Sequence, residues 1–146
     1  MRLTKLSFFL TFCIFLSCSS KPQPISYGQD VCHFCIMNIV DKQHAAQYVT
    51  KKGKQLKFDA IECMISDLTT NNNEDKIATL LVADFGTDGE MIDAISATYL
   101  ICPEIKSPMG AYLSAFSTED RAVETKTRLK GEIYSWITLK EKYADK

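Results

Sequence analysis

One order of short segments occurs twice along this chain, and this repeat limits the fold more than any other feature of the sequence. Each half contains two strand candidates, a helix and a further strand, separated by turn-forming residues. The segments are 45–50, 55–58, 59–68 and 77–85 in the first half, and 97–101, 111–116, 117–129 and 132–136 in the second. We therefore predict an α+β fold with two ββαβ halves, residues 30–90 and 91–146, and mainly antiparallel sheets.

Both predicted helices have recognisable ends. Asp59 precedes the first helix and Glu62 follows three positions later, which is the pattern of a capping box. Residues 117–120 offer a second N-terminal cap, and Gly131 is predicted to end the second helix. The first helix also carries an apolar stripe at helical spacing, which is typical of a core-facing surface. The stripe contains Ile61, Met64, Ile65 and Leu68.

The N-terminus has the features of an export signal. Arg2 and Lys5 precede an apolar run, Leu6 to Leu16, whose eleven residues fall short of the roughly 20 that a spanning helix needs. Phe15-Leu16-Ser17-Cys18 resembles a lipobox, although its leucine stands one position late. We predict a signal peptide at 1–17, a lipid on Cys18 and attachment to a membrane facing the periplasm. A plain secreted protein cleaved near Ser17 to Ser20 is the alternative.

The next segment and the charge balance describe the mature chain. Residues 18–29 are polar, contain two prolines and a glycine, and are predicted to form a flexible tether. Removing residues 1–17 takes Arg2 and Lys5 from the 17 basic residues, which leaves 15 against 18 acidic residues, a net charge of −3. There is no basic stripe of the kind that binds nucleic acid. Lys51-Lys52-Gly53-Lys54 is interpreted as a solvated turn.

A dense group of sulfur and nitrogen donors starts the globular part of the chain, as Cys32-His33-Phe34-Cys35-Ile36-Met37. Thiolate and thioether are soft ligands that suit Cu(I). In an extended segment Cys35 and Met37 would point to the same face, and a thioether neither loses a proton nor forms a disulfide. We predict Cys35 and Met37 as Cu(I) ligands, although Met37 could equally fill a gap in a core.

Other interpretations of the Cys32/Cys35 pair remain. A thiol–disulfide oxidoreductase would use both thiols, but its pair normally follows a strand and opens a helix. A c-type haem site would need histidine at position 36, which is isoleucine. Zinc would need two further ligands from the other cysteines or a histidine. A structural disulfide through Cys32 is also open, because an exported protein permits disulfides.

The third copper ligand is not decided by these residues. Met109 lies in the tight Ser107-Pro108-Met109-Gly110 turn, where it could be a ligand or could cover the core, and His33 and His44 are rival nitrogen donors. Cys63 lies opposite the apolar stripe of the first helix and could face the second half or bridge to Cys102. We predict a structural role for both cysteines. Nothing resembles a hydrolytic triad, a phosphate loop or a catalytic carboxylate pair, so we predict no enzymatic turnover.

With these residues identified, the chain resembles the NosL family of lipid-anchored copper accessory proteins of nitrous oxide reductase. The segments that carry the resemblance occur in order over residues 30–116, and Met91 stands where the family often has tryptophan. They are Cys32 to Met37, Ala45-Ala46-Gln47, Lys57-Phe58-Asp59, Val82 to Phe85, Ile92-Asp93-Ala94, Pro108-Met109-Gly110 and Ala115-Phe116.

The resemblance implies a membrane-tethered Cu(I) chaperone with two ββαβ halves. It implies that the Cys-x-Met element, here Cys35 and Met37, supplies ligands, and it makes Met109 the best third candidate. The implied partners are a copper-loading ABC-type membrane complex and nitrous oxide reductase, whose copper–sulfur cluster is assembled.

Overall fold

The computed structural model describes residues 21–144 of the 146. The predicted signal peptide, residues 1–17, and the predicted lipid attachment at Cys18 therefore lie outside the described residues. Within the described part the chain forms strands, three α-helices and one 3₁₀ helix at Glu74–Lys76. In chain order they are β1 Ala46–Thr50, β2 Gln55–Phe58, α1 Ile61–Asn71, β3 Ile77–Ala83, β4 Met91–Asp93, β5 Thr98–Ile101, β6 Leu113–Phe116, α2 Glu119–Leu129, β7 Glu132–Tyr134 and α3 Trp136–Ala144.

The strands form two antiparallel sheets. The first has the order β2-β1-β3-β4 and the second the order β6-β5-β7. Helix α1 packs against β1 and β2, and α2 packs against all three strands of the second sheet. The predicted α+β class with antiparallel sheets is confirmed.

The first sheet extends further along the chain than predicted. Strand β4 pairs with β3, with Met91 opposite Ala83 and Asp93 opposite Leu81. The first sheet therefore takes three residues that the sequence assigned to the second half. A strand of three residues is too short to show alternation, which explains why it was missed.

The C-terminal region also differs from the prediction. Trp136 begins α3 and does not end a strand, and α3 packs against α1 of the first half. Trp136 Nε1 donates a hydrogen bond to Glu74 Oε1 at 3.2 Å, and Lys140 Nζ lies 2.6 Å from Glu74 Oε2. This helix fastens the two halves together.

A buried carboxylate makes a second connection between the halves. Asp84 follows β3, and its Oδ2 lies 2.8 Å from Arg121 Nη1 on α2. Its Oδ1 accepts a hydrogen bond from the Ser117 amide at 3.2 Å. The backbone of Asp84 also forms an isolated parallel bridge with Ala115 of β6. The carboxylate thereby holds the start of α2 against the end of the first sheet.

Of the two predicted helix caps, only the second forms. Thr118 is the N-cap of α2, and its hydroxyl accepts a hydrogen bond from the Arg121 amide at 3.5 Å. The N-cap of α1 is Ala60, which has no side-chain cap, so the capping box predicted for Asp59 and Glu62 is wrong. Asp59 is buried, and Glu62 binds the second half of the chain.

Part of the segment predicted to be a flexible tether is hydrogen-bonded to side chains of β2. Gln55 Nε2 donates a hydrogen bond to the Lys21 carbonyl at 2.8 Å, and the Gln23 amide donates to Gln55 Oε1 at 3.0 Å. Lys57 Nζ donates to the Pro24 carbonyl at 2.8 Å, and Ile25 is buried. The side chains of β2 thus supply hydrogen-bond partners to a segment whose composition alone predicted a flexible conformation.

Candidate metal site

Residues 32–37, here called the cysteine loop, form a tight turn. An isolated antiparallel bridge joins Val31 to Asn38. Inside it, the Cys32 amide donates to the Met37 carbonyl at 2.8 Å, and the Ile36 amide donates to the Cys32 carbonyl at 3.1 Å. Ile36 has a φ of +64°, a left-handed conformation that is uncommon for a β-branched residue. The extended conformation predicted for this segment is therefore wrong.

The relation between Cys35 and Met37 follows from this turn and not from strand alternation. The backbone N–H of Met37 faces the sulfur of Cys35 and lowers the pKa of that thiol, although burial, the larger effect, raises it. Ile36 between them is 70% exposed. The two predicted ligands remain neighbours, but the geometry that makes them so is a turn.

The cysteine loop is fastened to β2. The His33 amide donates a hydrogen bond to the Lys57 carbonyl at 2.9 Å, and the Ile39 amide donates to the Asp30 carbonyl at 2.9 Å. The ammonium of Lys57 lies 2.6 Å from Asp30 Oδ2. Strand β2 therefore holds the N-terminal side of the loop, and the Ile39–Asp30 hydrogen bond ties the other side to it.

Three thiols meet beside this loop. The sulfur atoms of Cys32, Cys35 and Cys63 all lie within 4.8 Å of one another, and we call them the thiol cluster. Cys63 belongs to the first turn of α1, which begins just after β2 has passed the loop. Cys63 was predicted to have a structural role, and its position beside Cys32 and Cys35 was not predicted. The bridge from Cys63 to Cys102 does not form: both thiols are free, and Cys102 is buried 3.6 Å from the Leu129 carbonyl.

The thiol cluster is electrostatically asymmetric. A hydrogen bond from Cys63 lowers the pKa of Cys32 to about 4, with smaller contributions from the backbone N–H groups of Cys35, Asp59 and Phe34. The Cys35 amide lies 3.5 Å from that sulfur. The same hydrogen bond raises the pKa of Cys63 above its ordinary range, because Cys63 must keep its proton to donate it. Within the metal-free cluster, Cys32 is therefore the thiol that loses its proton most readily.

The cluster reaches the surface through its third member. Cys32 and Cys63 are each 1% exposed, whereas Cys35 is partly exposed. Around Cys35 the surface is apolar, and Phe34, Ile36 and Met37 are all exposed. Met37 itself is 44% exposed, so its thioether is accessible and does not fill a core gap. A soft cation could approach Cys35 from this side.

The Met109 turn lies next to the cysteine loop, because a carboxylate of α1 holds it there. Glu62 Oε1 accepts hydrogen bonds from Ser107 Oγ at 3.0 Å and from the Ala111 amide at 3.4 Å. Met109 is 43% exposed and lines one groove together with Phe34 and Glu62. The fold thus brings the predicted third ligand from a distant part of the chain to the side of the loop, and its role as a ligand stays a prediction.

Neither histidine joins the thiol cluster. His44 is buried, with Nδ1 3.0 Å from Asp41 Oδ2 and Nε2 3.3 Å from Ser114 Oγ, so both nitrogens already face polar partners. His33 Nε2 lies 3.9 Å from Asp67 Oδ1. Over residues 21–144, no nitrogen or carboxylate donor completes the cluster as a fourth ligand. The site is dominated by sulfur.

Such a donor set has a definite chemical preference. Thiolates and thioethers favour soft ions such as Cu(I), whereas zinc normally takes four protein ligands when it is structural. The zinc alternative gains Cys63 but finds no fourth Cys, His, Asp or Glu among the described residues. Cys63 had been predicted to have a structural role because it lies opposite the apolar stripe of its helix. The order of the elements could have indicated its position, because α1 begins directly after β2, the strand to which the cysteine loop is bound.

Three comparisons relate this chain to known proteins. The family model described as NosL matches residues 24–144. The copper-binding lipoprotein NosL of Stutzerimonas stutzeri is 34% identical over 109 residues, which cover 68% of this chain and 57% of that protein. The crystal structure of the copper chaperone NosL from Shewanella denitrificans has the same fold, with a TM-score of 0.70 at 21% identity over 80% of this chain and 93% of that one.

Two further facts bear on the comparison. The match spans little more than half the length of the Stutzerimonas stutzeri protein. Among residues 21–144, no helix has the length and apolar character needed to cross a membrane. The family match covers most of the chain and includes both the cysteine loop and the Met109 turn. This chain therefore belongs to the NosL family.

Proposed function

We propose that this protein is an exported, membrane-anchored carrier of Cu(I). The observation that carries the proposal is the thiol cluster, which opens to the surface at Cys35 beside the exposed thioether-bearing residues Met37 and Met109. Cys35, Met37 and Met109 bind the ion. Negative charge on Cys32, whose sulfur lies within 4.8 Å of the Cys35 sulfur, would stabilise the cation from behind. The same charge raises the pKa of Cys35, so the bound ion itself displaces the Cys35 proton.

The position of the site suits delivery better than storage. Cu(I) is stable with two or three soft ligands, so a site on the surface leaves a side open for a ligand from a recipient. The exposed apolar residues Phe34 and Ile36 beside Cys35 provide a surface that a recipient protein can cover during transfer. The ion then passes by ligand exchange, without turnover of a substrate.

The recipients and the anchor are proposed on the basis of membership of the NosL family. We propose that the copper is used to assemble the copper centre of nitrous oxide reductase, with a copper-loading ABC-type membrane complex as a second partner. The predicted lipid on Cys18 would tether the protein to a membrane facing the periplasm. The copper-binding relative of Stutzerimonas stutzeri is itself named a lipoprotein, which supports this location.

The thiol chemistry argues against the alternative of a thiol–disulfide oxidoreductase. Such an enzyme needs an accessible thiol with a lowered pKa. Here the thiol with the lowered pKa, Cys32, is buried, and partial burial raises the pKa of the accessible one, Cys35. A negative thiol-exchange assay with the metal-free protein is the expected result, and catalysis that depends on both cysteines would favour the alternative.

Copper binding is tested by titrating Cu(I) against a chromophoric competitor. One ion should bind per chain. Loss of a residue that supports a metal ligand usually weakens binding by about 10- to 100-fold, and loss of the ligand itself should weaken it at least as much. We therefore expect Cys35→Ala to weaken Cu(I) binding by at least about a hundredfold and Met37→Leu by about tenfold. Cys102→Ala and Met91→Leu are matched controls outside the site and should retain affinity. Unchanged affinity in Cys35→Ala would contradict the proposal.

Delivery needs a separate measurement. Cu(I)-loaded protein is mixed with copper-free nitrous oxide reductase, and the absorbance of the enzyme's copper centres is followed with time. We expect centre formation faster than with an equal concentration of Cu(I) held by the competitor alone. Tight binding without transfer would leave a copper-binding protein with a different client.

A further inference from the structure

A group of exposed lysines surrounds the turn between β1 and β2, far from the thiol cluster. Lys51, Lys52 and Lys54 lie in the turn, and Lys76 stands beside them at the start of β3. The Lys51 amide donates a hydrogen bond to the Lys76 carbonyl at 2.8 Å, which fixes the two segments together. We call these four residues the basic turn; they line one shallow groove.

The basic turn carries an excess of positive charge. The acid that lines its groove is Asp75, and Lys51 Nζ contacts the carbonyl of that residue at 2.6 Å. Glu74, the neighbouring acid, binds Trp136 and Lys140 on α3. Four lysines and one carboxylate therefore line this groove, in a chain whose predicted mature form has a net charge of −3. This concentration of charge is not explained by copper binding.

The chain enters the described structure beside the basic turn. Gln55, the residue directly after Lys54, holds the Lys21 carbonyl at 2.8 Å and the Gln23 amide at 3.0 Å. Cys18 precedes Lys21 by three residues, which reach at most about 11 Å when extended. That distance is close to the Debye length of about 8–10 Å at physiological salt. A lipid on Cys18 would therefore bring a bilayer surface within electrostatic range of these lysines.

We propose that the basic turn lies on a membrane surface rich in anionic phospholipid and acts as a second attachment point next to the acyl anchor. The proposal rests on the anchor at Cys18 given under the proposed function. Each lysine near an anionic leaflet strengthens association by about fivefold. One acyl chain binds reversibly, and a basic patch is the usual second signal that makes attachment stable.

This attachment also sets the direction in which the metal site faces. Strand β2 runs from the basic turn at Gln55 to Phe58, where the cysteine loop is fastened. Four residues of strand span about 13 Å, and α1 runs back over a similar length. With the basic turn on the membrane, the thiol cluster lies at the opposite end of the β1–β2 hairpin and opens to the aqueous phase, where a recipient can reach Cys35.

The experiment compares lysine reactivity on two kinds of vesicle. The exported, processed protein is reconstituted on phosphatidylcholine vesicles with or without about a third phosphatidylglycerol. A water-soluble acetylating reagent is added, and acetylation of each lysine is measured by mass spectrometry. We expect several-fold slower acetylation of the basic turn on the anionic vesicles, with recovery at high salt. Lys126 and Lys130 on the second half serve as internal controls and should not change.

A pair of charge-reversal variants separates the turn from general charge. Lys51→Glu with Lys52→Glu should abolish the protection of Lys54 and Lys76 on anionic vesicles. The matched variant Lys126→Glu with Lys130→Glu should leave it intact. Equal effects of the two variants would overturn the proposal.

Flotation of the same vesicles tests the lipid anchor at Cys18 separately from the docking of the basic turn. If the protein floats with both vesicles but the basic turn is acetylated at the same rate on each, the anchor stands and the docking proposal is wrong. If the protein floats with neither, both the anchor and the docking surface are contradicted. The copper titration tests the metal site independently of either outcome.

Discussion

The carboxylate of Glu62 accepts a hydrogen bond from the hydroxyl of Ser107 at 3.0 Å, and Glu62 directly precedes Cys63 in α1. One turn of helix therefore supplies a thiol to the cluster and a carboxylate that holds the loop carrying Met109. Ser107 Oγ in turn accepts a hydrogen bond from the Tyr112 amide at 2.9 Å. The predicted sulfur ligands from the two halves therefore share one polar connection.

Ser107→Ala should weaken both stability and copper binding. The change removes one hydrogen bond to a buried carboxylate and one from a backbone amide, which together should cost about 1–3 kcal/mol of the free energy of unfolding. Urea denaturation measures this loss. If Met109 is a ligand, Cu(I) affinity should fall to a similar extent as in Met109→Leu.

Ser96→Ala is a suitable control, because Ser96 is exposed in a loop away from the site. It should change neither quantity. A Ser107→Ala protein that loses stability but keeps full Cu(I) affinity would show that the Met109 turn does not contribute to the site.

The shared proton of Cys32 and Cys63 gives a second prediction. In metal-free protein at neutral pH we expect thiolate ultraviolet absorbance, since hydrogen bonding from Cys63 lowers the pKa of Cys32 to about 4. Cys63→Ala removes the donor, so the pKa of Cys32 should rise and the absorbance should diminish. Cys63→Ser keeps a donor and should retain more of it.

Cys102→Ala controls for the loss of one thiol of the same type outside the cluster. A pH titration of the absorbance that is identical in wild type and Cys63→Ala would contradict the assigned hydrogen bond. The comparison is made without metal, because bound copper would deprotonate the thiols itself.

Several regular elements were predictable from their local sequence. The strands at Ala46–Thr50 and Thr98–Ile101 follow from strand-favouring residues between turn-forming ones, and the helix ended by Gly131 follows from its capping residues. Strand β4 was missed because its three residues carry no period. The position of α3 was missed because its contact with α1 depends on the tertiary fold and not on a local pattern.

For the site, too, the sequence indicated some residues and not others. Cys35 and Met37 were predicted as ligands because they are close in sequence, and Met109 because a methionine in a rigid turn lacks a periodic reason to be buried; their roles as ligands stay predictions. Cys63 was assigned to structure, since the stripe of α1 points elsewhere. In the folded chain other elements pack against more than one face of α1. The sequence of the helix alone does not indicate which element packs on the face that carries Cys63.

The same limit explains the cap that did not form. Asp59 and Glu62 have the spacing of a capping box, but their partners lie in other elements. The backbone N–H of Asp59 faces the sulfur of Cys32, and Glu62 turns to Ser107. These tertiary contacts, which form only when the chain has folded, replace the local capping interactions that the spacing predicted.

Gly131 provides a test of how closely the second sheet is packed. Its φ is +122°, and a Cβ at this position would meet the Ile101 carbonyl oxygen at 2.6 Å. Gly131→Ala should therefore lower the free energy of unfolding by about 2 kcal/mol or more, since both the conformation and the contact are unfavourable.

Gly28→Ala is the matched control, in the segment that precedes the first half. Gly28 also has a positive φ, +81°, but a Cβ there would meet nothing within 4 Å. Its cost should be limited to the backbone conformation, about 1 kcal/mol. Equal losses in the two variants, measured by urea denaturation, would contradict the close approach of Gly131 to β5.

The ion pair between Asp30 and Lys57 predicts an acid sensitivity of the cysteine loop. Hydrogen bonding from Lys57 lowers the pKa of Asp30 below its ordinary value. A carboxyl whose pKa is lowered by folding stabilises the folded state above its unfolded pKa of about 3.9, and this stabilisation is lost as the pH falls through the folded pKa. Asp30→Asn should therefore cost up to about 1 kcal/mol at neutral pH, the usual range for a pair near the surface. The difference between wild type and variant should shrink toward zero in strong acid, and urea denaturation across this pH range measures it. Glu124→Gln, an exposed acid on α2, should show no such trend, and a pH-independent loss in Asp30→Asn would mean that packing and not charge holds the loop to β2.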